Sequence, residues 1–510
     1  MGVFKKKRKE SWMGAKENRG QEEEKKNRQT KFWTLLISIV LIVACVALAV
    51  WSSGVIPKNA TAVTIGSQNY SAGVVQFYYQ NAYKEFLNSY GSQAQLFGLD
   101  TSKALDKQKY DEKTTWADYF LKMGLEKMER TIIVASEARK ANFSLTKDSQ
   151  NQIGELKENI KVYCVNNNIS TNAYFSYYGD AVTAQLYYDQ VENTLLAQDY
   201  TKSLMSKMKY TDQELTDSYN KNQKNYDVVG YRFFLVDGSA ASAKDSSGKE
   251  VEATDKEKEA AMAKASEKAN AMAARLKSGA DFTALAKEYA PSDKKETYAN
   301  AESSTISDMS YANVSSYPYA DWLFDTSRKN GDVTAVKASN GYYVIQFLGR
   351  HRNEYKTADI RQIVIKAEAA SGSAAPTSQQ MAEAKAKAES LLGQWKKGAA
   401  TEAAFASMAK EHTEDSDAKE NGGLSQQVNK TSVSSAVSSW LFGSPHKAGD
   451  ASLIETDDGY SIVYFVKYDE VYWKLQVEDN KKSEAYTAWY DKVKAGYSIN
   501  DQGSGMRFVI

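Results

Sequence analysis

Three histidines and two cysteines are all this chain offers to the commonest side-chain chemistries, and their spacing excludes most of them. His351, His412 and His446 stand far apart, without the short intervals that bring ligands onto one metal ion. None lies in a nucleophile motif of the kind a catalytic triad needs. Cys45 falls inside an apolar run and Cys164 in "VYCVN", so the cysteines form no disulfide framework. No metal and no other cofactor is expected. What the chain does repeat is a pair of endings, "SNGYYVIQF" from Ser339 and "DDGYSIVYF" from Asp457, 118 residues apart. The residue after each Gly-Tyr differs in chemistry, Tyr343 in the first and Ser461 in the second.

Those endings belong to a longer repeat. "WLF" at Trp322–Phe324 precedes Gly331-Asp332 and Gly341-Tyr342, and "WLF" at Trp440–Phe442 precedes Gly449-Asp450 and Gly459-Tyr460 at the same intervals. Upstream, "ADFTALAKEY" around Phe282 matches "AAFASMAKEH" around Phe405, each preceded by an Ala-rich helical stretch. Each copy opens on an apolar run, "YRFFLV" from Tyr231 and "IRQIVI" from Ile360. The unit reads as strand, long helix, short helix, loop, helix at Trp-Leu-Phe, then two strands around the Gly-Tyr turn. Each copy is long enough for one α+β domain, and the copies are assigned to residues 228–352 and 353–473.

Before the repeats, residues 60–227 are mainly helical. Trp116, Phe120, Met123, Met128, Ile132 and Ile133 recur at helical steps, and further helices are expected over Ser149–Cys164, Ala181–Met208 and Asp212–Tyr219. The tyrosine-rich stretches "QFYYQNAYKEF" and "AYFSYYGDAVTAQLYYDQ" read either as helix packing or as a peptide-binding cradle. Residues 474–510 close the chain with a helix whose apolar stripe is Tyr486, Trp489, Tyr490 and Val493, expected to pack back on the N-terminal helices.

Charge and hydropathy add a prediction about location. Residues 1–31 hold eleven Lys/Arg against five Glu, so the rest of this +1 chain is slightly acidic, which argues against nucleic acid as a partner. "FWTLLISIVLIVACVALAVW", Phe32–Trp51, has no charge and predicts a single transmembrane helix, placed over 32–53. The basic tail 1–31 would then be cytoplasmic and the bulk extracytoplasmic, at the cell membrane. "IVAC" ending at Cys45 also matches a lipoprotein box, which would replace the span by a lipid anchor.

The repeat resembles the parvulin type of peptidyl-prolyl isomerase domain, and "VTIGSQNYSAGVVQF" with "TIIVASEARKANFSLTKDS" resembles the helical domain of PrsA/SurA-type envelope foldases. The resemblance covers roughly residues 60–500. It implies two tandem parvulin-like α+β domains beside a helical chaperone domain completed by a C-terminal helix, and clients that are unfolded or newly exported polypeptides. By that resemblance the catalytic positions of the second copy fall on Asp415, Gln362 and Ser461, with Val433, Val437 and Phe442 at the proline pocket. The counterparts in the first copy are Phe233, Ser315, Tyr319, Phe324 and Tyr343, so both copies depart from the family's histidines and pocket residues. The implied function is a membrane-anchored folding factor with weak isomerase activity in the second copy; the alternative is a non-catalytic holdase that binds unfolded exported polypeptides.

Overall fold

The computed structural model describes residues 35–46, 60–240, 243–244, 250–368 and 375–510. Among the described residues no helix is long and apolar enough to cross a membrane. This corrects the expected transmembrane helix; of the run Phe32–Trp51 only residues 35–46 are described, and they are helical. The remainder of Phe32–Trp51, with the tail 1–31, lies outside the described residues. The cytoplasmic and extracytoplasmic assignments, and the membrane as a partner, rested on that span and are withdrawn with it. Cys45 lies within 35–46 and is exposed.

The chain divides into two units, Met1–Lys209 with Lys482–Ile510, and Tyr210–Lys481. In the first, a hairpin of β1 (Thr61–Ile65) and β2 (Gln68–Ser71) leads into α1 (Ala72–Tyr90), followed by α2 (Trp116–Lys140), α3 (Lys147–Asn166) and α4 (Ala184–Lys207). Thr115, Thr146 and Thr183 each accept a backbone N–H at the start of α2, α3 and α4, and Asp118 completes a capping box on α2. The tyrosine-rich stretches are mostly helix packing: Phe77, Tyr78, Tyr79, Phe175 and Tyr187 are buried, although Tyr177 is exposed. Asp199 of α4 anchors the start of α3, accepting from both the N–H and the hydroxyl of Thr146 at 2.9 Å.

The second unit holds the repeats. The first copy comprises β3 (Val228–Asp237), α5 (Asp255–Lys277), α6 (Phe282–Tyr289), β4 (Thr305–Ser310), α7 (Ala320–Phe324), β5 (Val333–Ala338) and β6 (Gly341–His351). The second comprises β7 (Lys356–Lys366), α8 (Ser378–Lys397), α9 (Glu402–His412), β8 (Leu424–Val428), α10 (Ser435–Gly443), β9 (Ala451–Thr456) and β10 (Gly459–Val471). Their antiparallel sheets have matching strand orders, β4-β3-β6-β5 and β8-β7-β10-β9. In each, one face packs on the two longer helices and the other on the Trp-Leu-Phe helix.

The shared motifs are explained by this architecture. Leu323 and Leu441 are fully buried. Gly331 N–H donates to Phe347 O and Phe347 N–H to Asp332 O, both at 2.8 Å; Gly449, Phe465 and Asp450 form the same clasp at 3.1 and 2.8 Å. Gly341 and Gly459 have φ near +150°, and a Cβ there would run into the carbonyl oxygens of Val236 and Ile365. The repeated residues therefore hold strand ends and turns, a structural duty that both copies need.

α11 (Tyr472–Lys494) follows β10, and its residues from Lys482 onward belong to the first unit. There Tyr490 and Val509 join the buried core, with Trp489 and Val493 packed against it. β11 (Ile499–Asn500) pairs with β1 to give a three-stranded sheet of order β11-β1-β2.

Candidate functional site

The second copy offers a hydrogen-bonded polar pair on a largely apolar sheet face. Val463 lies opposite Gln362, and Ser461 opposite Val364. Strand alternation places Ala358, Ile360 and Gln362 of β7 on the same face as Ser461, Val463 and Phe465 of β10, and α10 covers most of it. Gln362 Nε2 donates to Ser461 Oγ at 3.0 Å. Ser461 is buried and Gln362 half-buried, so the amide reaches the surface while the hydroxyl fixes it from below. Val437 is buried in the same apolar cluster, and Val433 and Phe442 are half-buried at its margin. Phe442 stands edge-on to Tyr355 at 5.2 Å. The structure thus brings Gln362 and Ser461 together, on the sheet face against which Val433, Val437 and Phe442 pack.

Asp415 arrives on the loop beside β7. Gln362 N–H donates to Gly423 O at 2.8 Å and Glu414 N–H to Val364 O at 2.9 Å. Gly423, at φ +74°, lies so close that a Cβ would collide with the Gln362 carbonyl. Arg361 fastens the same loop by donating to the carbonyls of Asn421 and Gly422 at 2.9 and 3.0 Å. The Asp415 carboxylate caps the short helix Ser416–Lys419, accepting from the N–H groups of Asp417 and Ala418 at 3.1 and 3.4 Å. Its neighbour Glu414 accepts from Lys366 N–H at 2.7 Å and pairs with Lys387 at 2.6 Å. Partial burial pushes the Glu414 carboxyl up, but Lys387 and the Lys366 N–H outweigh it and hold the group below the usual carboxylate range.

In the first copy aromatic rings occupy the corresponding face. Phe233 is half-buried and its ring lies 6.1 Å from that of Tyr231. Tyr319 is buried, with Tyr343 at 5.0 Å in a T-shaped arrangement, Tyr317 stacked at 5.3 Å and the Tyr231 hydroxyl 3.5 Å away. Burial raises the Tyr231 phenol, and burial together with the Tyr231 hydroxyl raises that of Tyr319. Phe324 is buried beneath the Arg350 guanidinium. Ser315 is exposed and donates to Ala312 O, away from the rings. The first copy therefore brings together Phe233, Tyr319 and Tyr343 but not Ser315.

Sequence reasoning missed Tyr231 and Tyr317 as members of this cluster, and Glu414, Gly423 and Thr413, whose hydroxyl accepts from Val364 N–H at 3.1 Å, as the loop's fastening. Tyr231 was findable, since it lies two residues before Phe233 and so on the same strand face. His446 is half-buried beside α10: its Nε2 is 2.8 Å from Trp440 O and its ring is tilted by 33° against that of Trp440 at 4.0 Å.

Residues 245–351 and 346–467 each match the family model described as the PPIC-type PPIASE domain. Among solved structures, the peptidylprolyl isomerase PrsA of Bacillus anthracis is 15% identical, with 44% of this chain and 79% of that one covered and a TM-score of 0.21. PrsA of Bacillus cereus is 18% identical, with 49% and 79% covered and a TM-score of 0.23. The foldase protein PrsA of Streptococcus pneumoniae is 18% identical, with 45% and 68% covered and a TM-score of 0.20. No curated protein matches the chain. The family match falls on the two repeats, each of which is similar to the PPIC-type PPIASE domain.

Proposed function

We propose that this protein is a folding factor whose second rotamase domain accelerates cis-trans exchange of X-Pro bonds in unfolded polypeptides, while the first serves as a scaffold. Rotation about an X-Pro bond crosses a barrier near 18–20 kcal/mol and takes tens to hundreds of seconds uncatalysed, yet breaks no bond. A catalyst has only to hold the proline ring on an apolar surface and favour the twisted amide over both planar forms. The observation that carries this reading is the Gln362–Ser461 hydrogen bond of 3.0 Å on the sheet face shared with Val433, Val437 and Phe442. The Gln362 amide would donate to the twisting bond, Ser461 would hold the amide in place, and Asp415 would keep its loop closed beside them. In the first domain the rings of Tyr319, Tyr343 and Tyr231 fill the equivalent face.

The test is exchange of a proline-containing peptide measured by NMR with the full chain. Exchange faster than in buffer is expected, falling about tenfold in Gln362→Leu and staying unchanged in Tyr343→Phe. No acceleration by the wild-type protein would sink the isomerase reading. The second reading, a holdase that binds unfolded chains without catalysis, is favoured by two apolar cavities of about 350 and 340 Å³ in the helical unit. It predicts suppression of client aggregation that survives Gln362→Leu.

A further inference from the structure

The larger of these cavities has a chemistry of its own. Its volume is about 350 Å³, and its apolar wall is made by Val63 and Ile65 of β1, Leu121, Leu125 and Met128 of α2, and Ile499 of β11. Val63, Ile65 and Met128 are buried, whereas Ile499 is 38% exposed, so the pocket opens at β11, an edge strand of its sheet. Around the apolar wall stand Asp118, Glu126, Glu129 and Asp501 against a single lysine, Lys122. Asp118, Lys122, Glu126 and Glu129 recur every three or four residues, so the charged rim runs along the same stripe of α2 as Leu121 and Leu125.

Two of the carboxylates have local work. Asp118 caps α2, its carboxyl held below the usual range by the Thr115 N–H and hydroxyl, and Glu129 pairs with Lys494 and accepts from the Tyr490 hydroxyl. Even with Lys494 counted, four carboxylates face two lysines, and the rim remains negative. The 340 Å³ cavity, on another stripe of α2, has the opposite sign: Lys127, Arg130 and Lys202 line it with Val134, Ala197 and Tyr486.

We infer that the 350 Å³ cavity is a docking site for an extended polypeptide segment in which an apolar side chain is flanked by lysine or arginine. The apolar side chain enters between Leu121, Leu125 and Ile499, and the flanking cations meet Glu126 and Asp501. The inference rests on the reading that this protein handles unfolded polypeptides, and adds which segments it selects. Charge complementarity of this kind sets selectivity between competing segments and makes binding salt-dependent.

The experiment uses the full chain and two fluorescent disordered peptides, one with leucines between lysines and its twin with glutamates replacing the lysines. Anisotropy should show the lysine peptide binding at least tenfold more tightly at low salt, with the preference shrinking at 0.5 M salt. The double variant Glu126→Lys with Asp501→Lys, both at exposed positions, should erase the preference. Leu121→Trp, which fills the pocket, should weaken the lysine peptide, with circular dichroism confirming the fold. Equal affinity for the twins, or a preference unchanged in the double variant, would overturn the inference. X-Pro exchange and aggregation suppression are measured on the same samples. If either persists when the preference is absent, only the docking site is lost; if both are absent and neither peptide binds, the folding-factor reading fails with it.

Discussion

Gln362 and Ser461, the polar pair of the proposed site, are two uncharged groups joined by a hydrogen bond of 3.0 Å. Ser461 is 3% exposed and its hydroxyl accepts from the Gln362 amide, so the buried hydroxyl has a partner. Ser461→Ala should cost about 1 kcal/mol in chemical denaturation by leaving the half-buried amide short of a partner. The same variant should slow X-Pro exchange through a mobile Gln362; an unchanged exchange rate would show that the amide needs no fixing. Gly423 is under stricter constraint. Its φ of +74° and its contact with the Gln362 carbonyl mean that Gly423→Ala should destabilise the second domain by about 2 kcal/mol or more. Wild-type stability in that variant would show that the loop can withdraw from β7 without loss.

At the scale of elements, short polar anchors decide where loops and helix ends lie. The loop before β8 is tied to β7 partly through Glu414, whose carboxyl is held below its unfolded value. A carboxyl depressed in this way contributes stability that is fully present above the unfolded pKa, about 4.3, and is lost as pH falls through the folded value. Glu414→Gln should therefore flatten the acid limb of a stability-pH curve below about pH 5, and an unaltered limb would remove the clamp from the account. In the helical unit, Asp199 plays the corresponding part for α3, and Asp199→Ala should cost about 2 kcal/mol by stripping the Thr146 N–H and hydroxyl of their acceptor. Such anchors lie beyond sequence reading because they join residues distant in the chain, Thr146 to Asp199 or Lys366 to Glu414. The strands and Trp-Leu-Phe helices of the repeat were legible, since alternation and equal spacing are local signals. Asp415 was legible as a loop carboxylate but not as a helix cap, because the four-residue helix it starts has no periodicity to detect.

Across the whole molecule the two units differ in how they are closed. Each rotamase domain is continuous in sequence, so its sheet is completed from its own 120 or so residues. The helical unit is assembled from both ends of the described chain, with β11 pairing β1 and the Gln76 side-chain amide donating to Phe508 O at 2.8 Å across 432 residues of sequence. Val509 is 5% exposed in the same core, so these last residues are part of the unit's interior as well as a wall of its acid-rimmed cavity. Cutting the chain after Lys494 would uncover β1, remove the Phe508 acceptor from Gln76 and open the core where Val509 sits. Hydrogen exchange followed by mass spectrometry should then show faster exchange in β1 and the first turns of α1, while β7 and β10 keep their protection. Binding of the lysine-flanked peptide should be lost in the same protein, because Ile499 and Asp501 leave with the cut, whereas X-Pro exchange by the second domain should continue. Unchanged protection in β1 would mean that the hairpin and α1 hold the unit together without its C-terminal strand, and that the long-range pairing adds nothing to its stability.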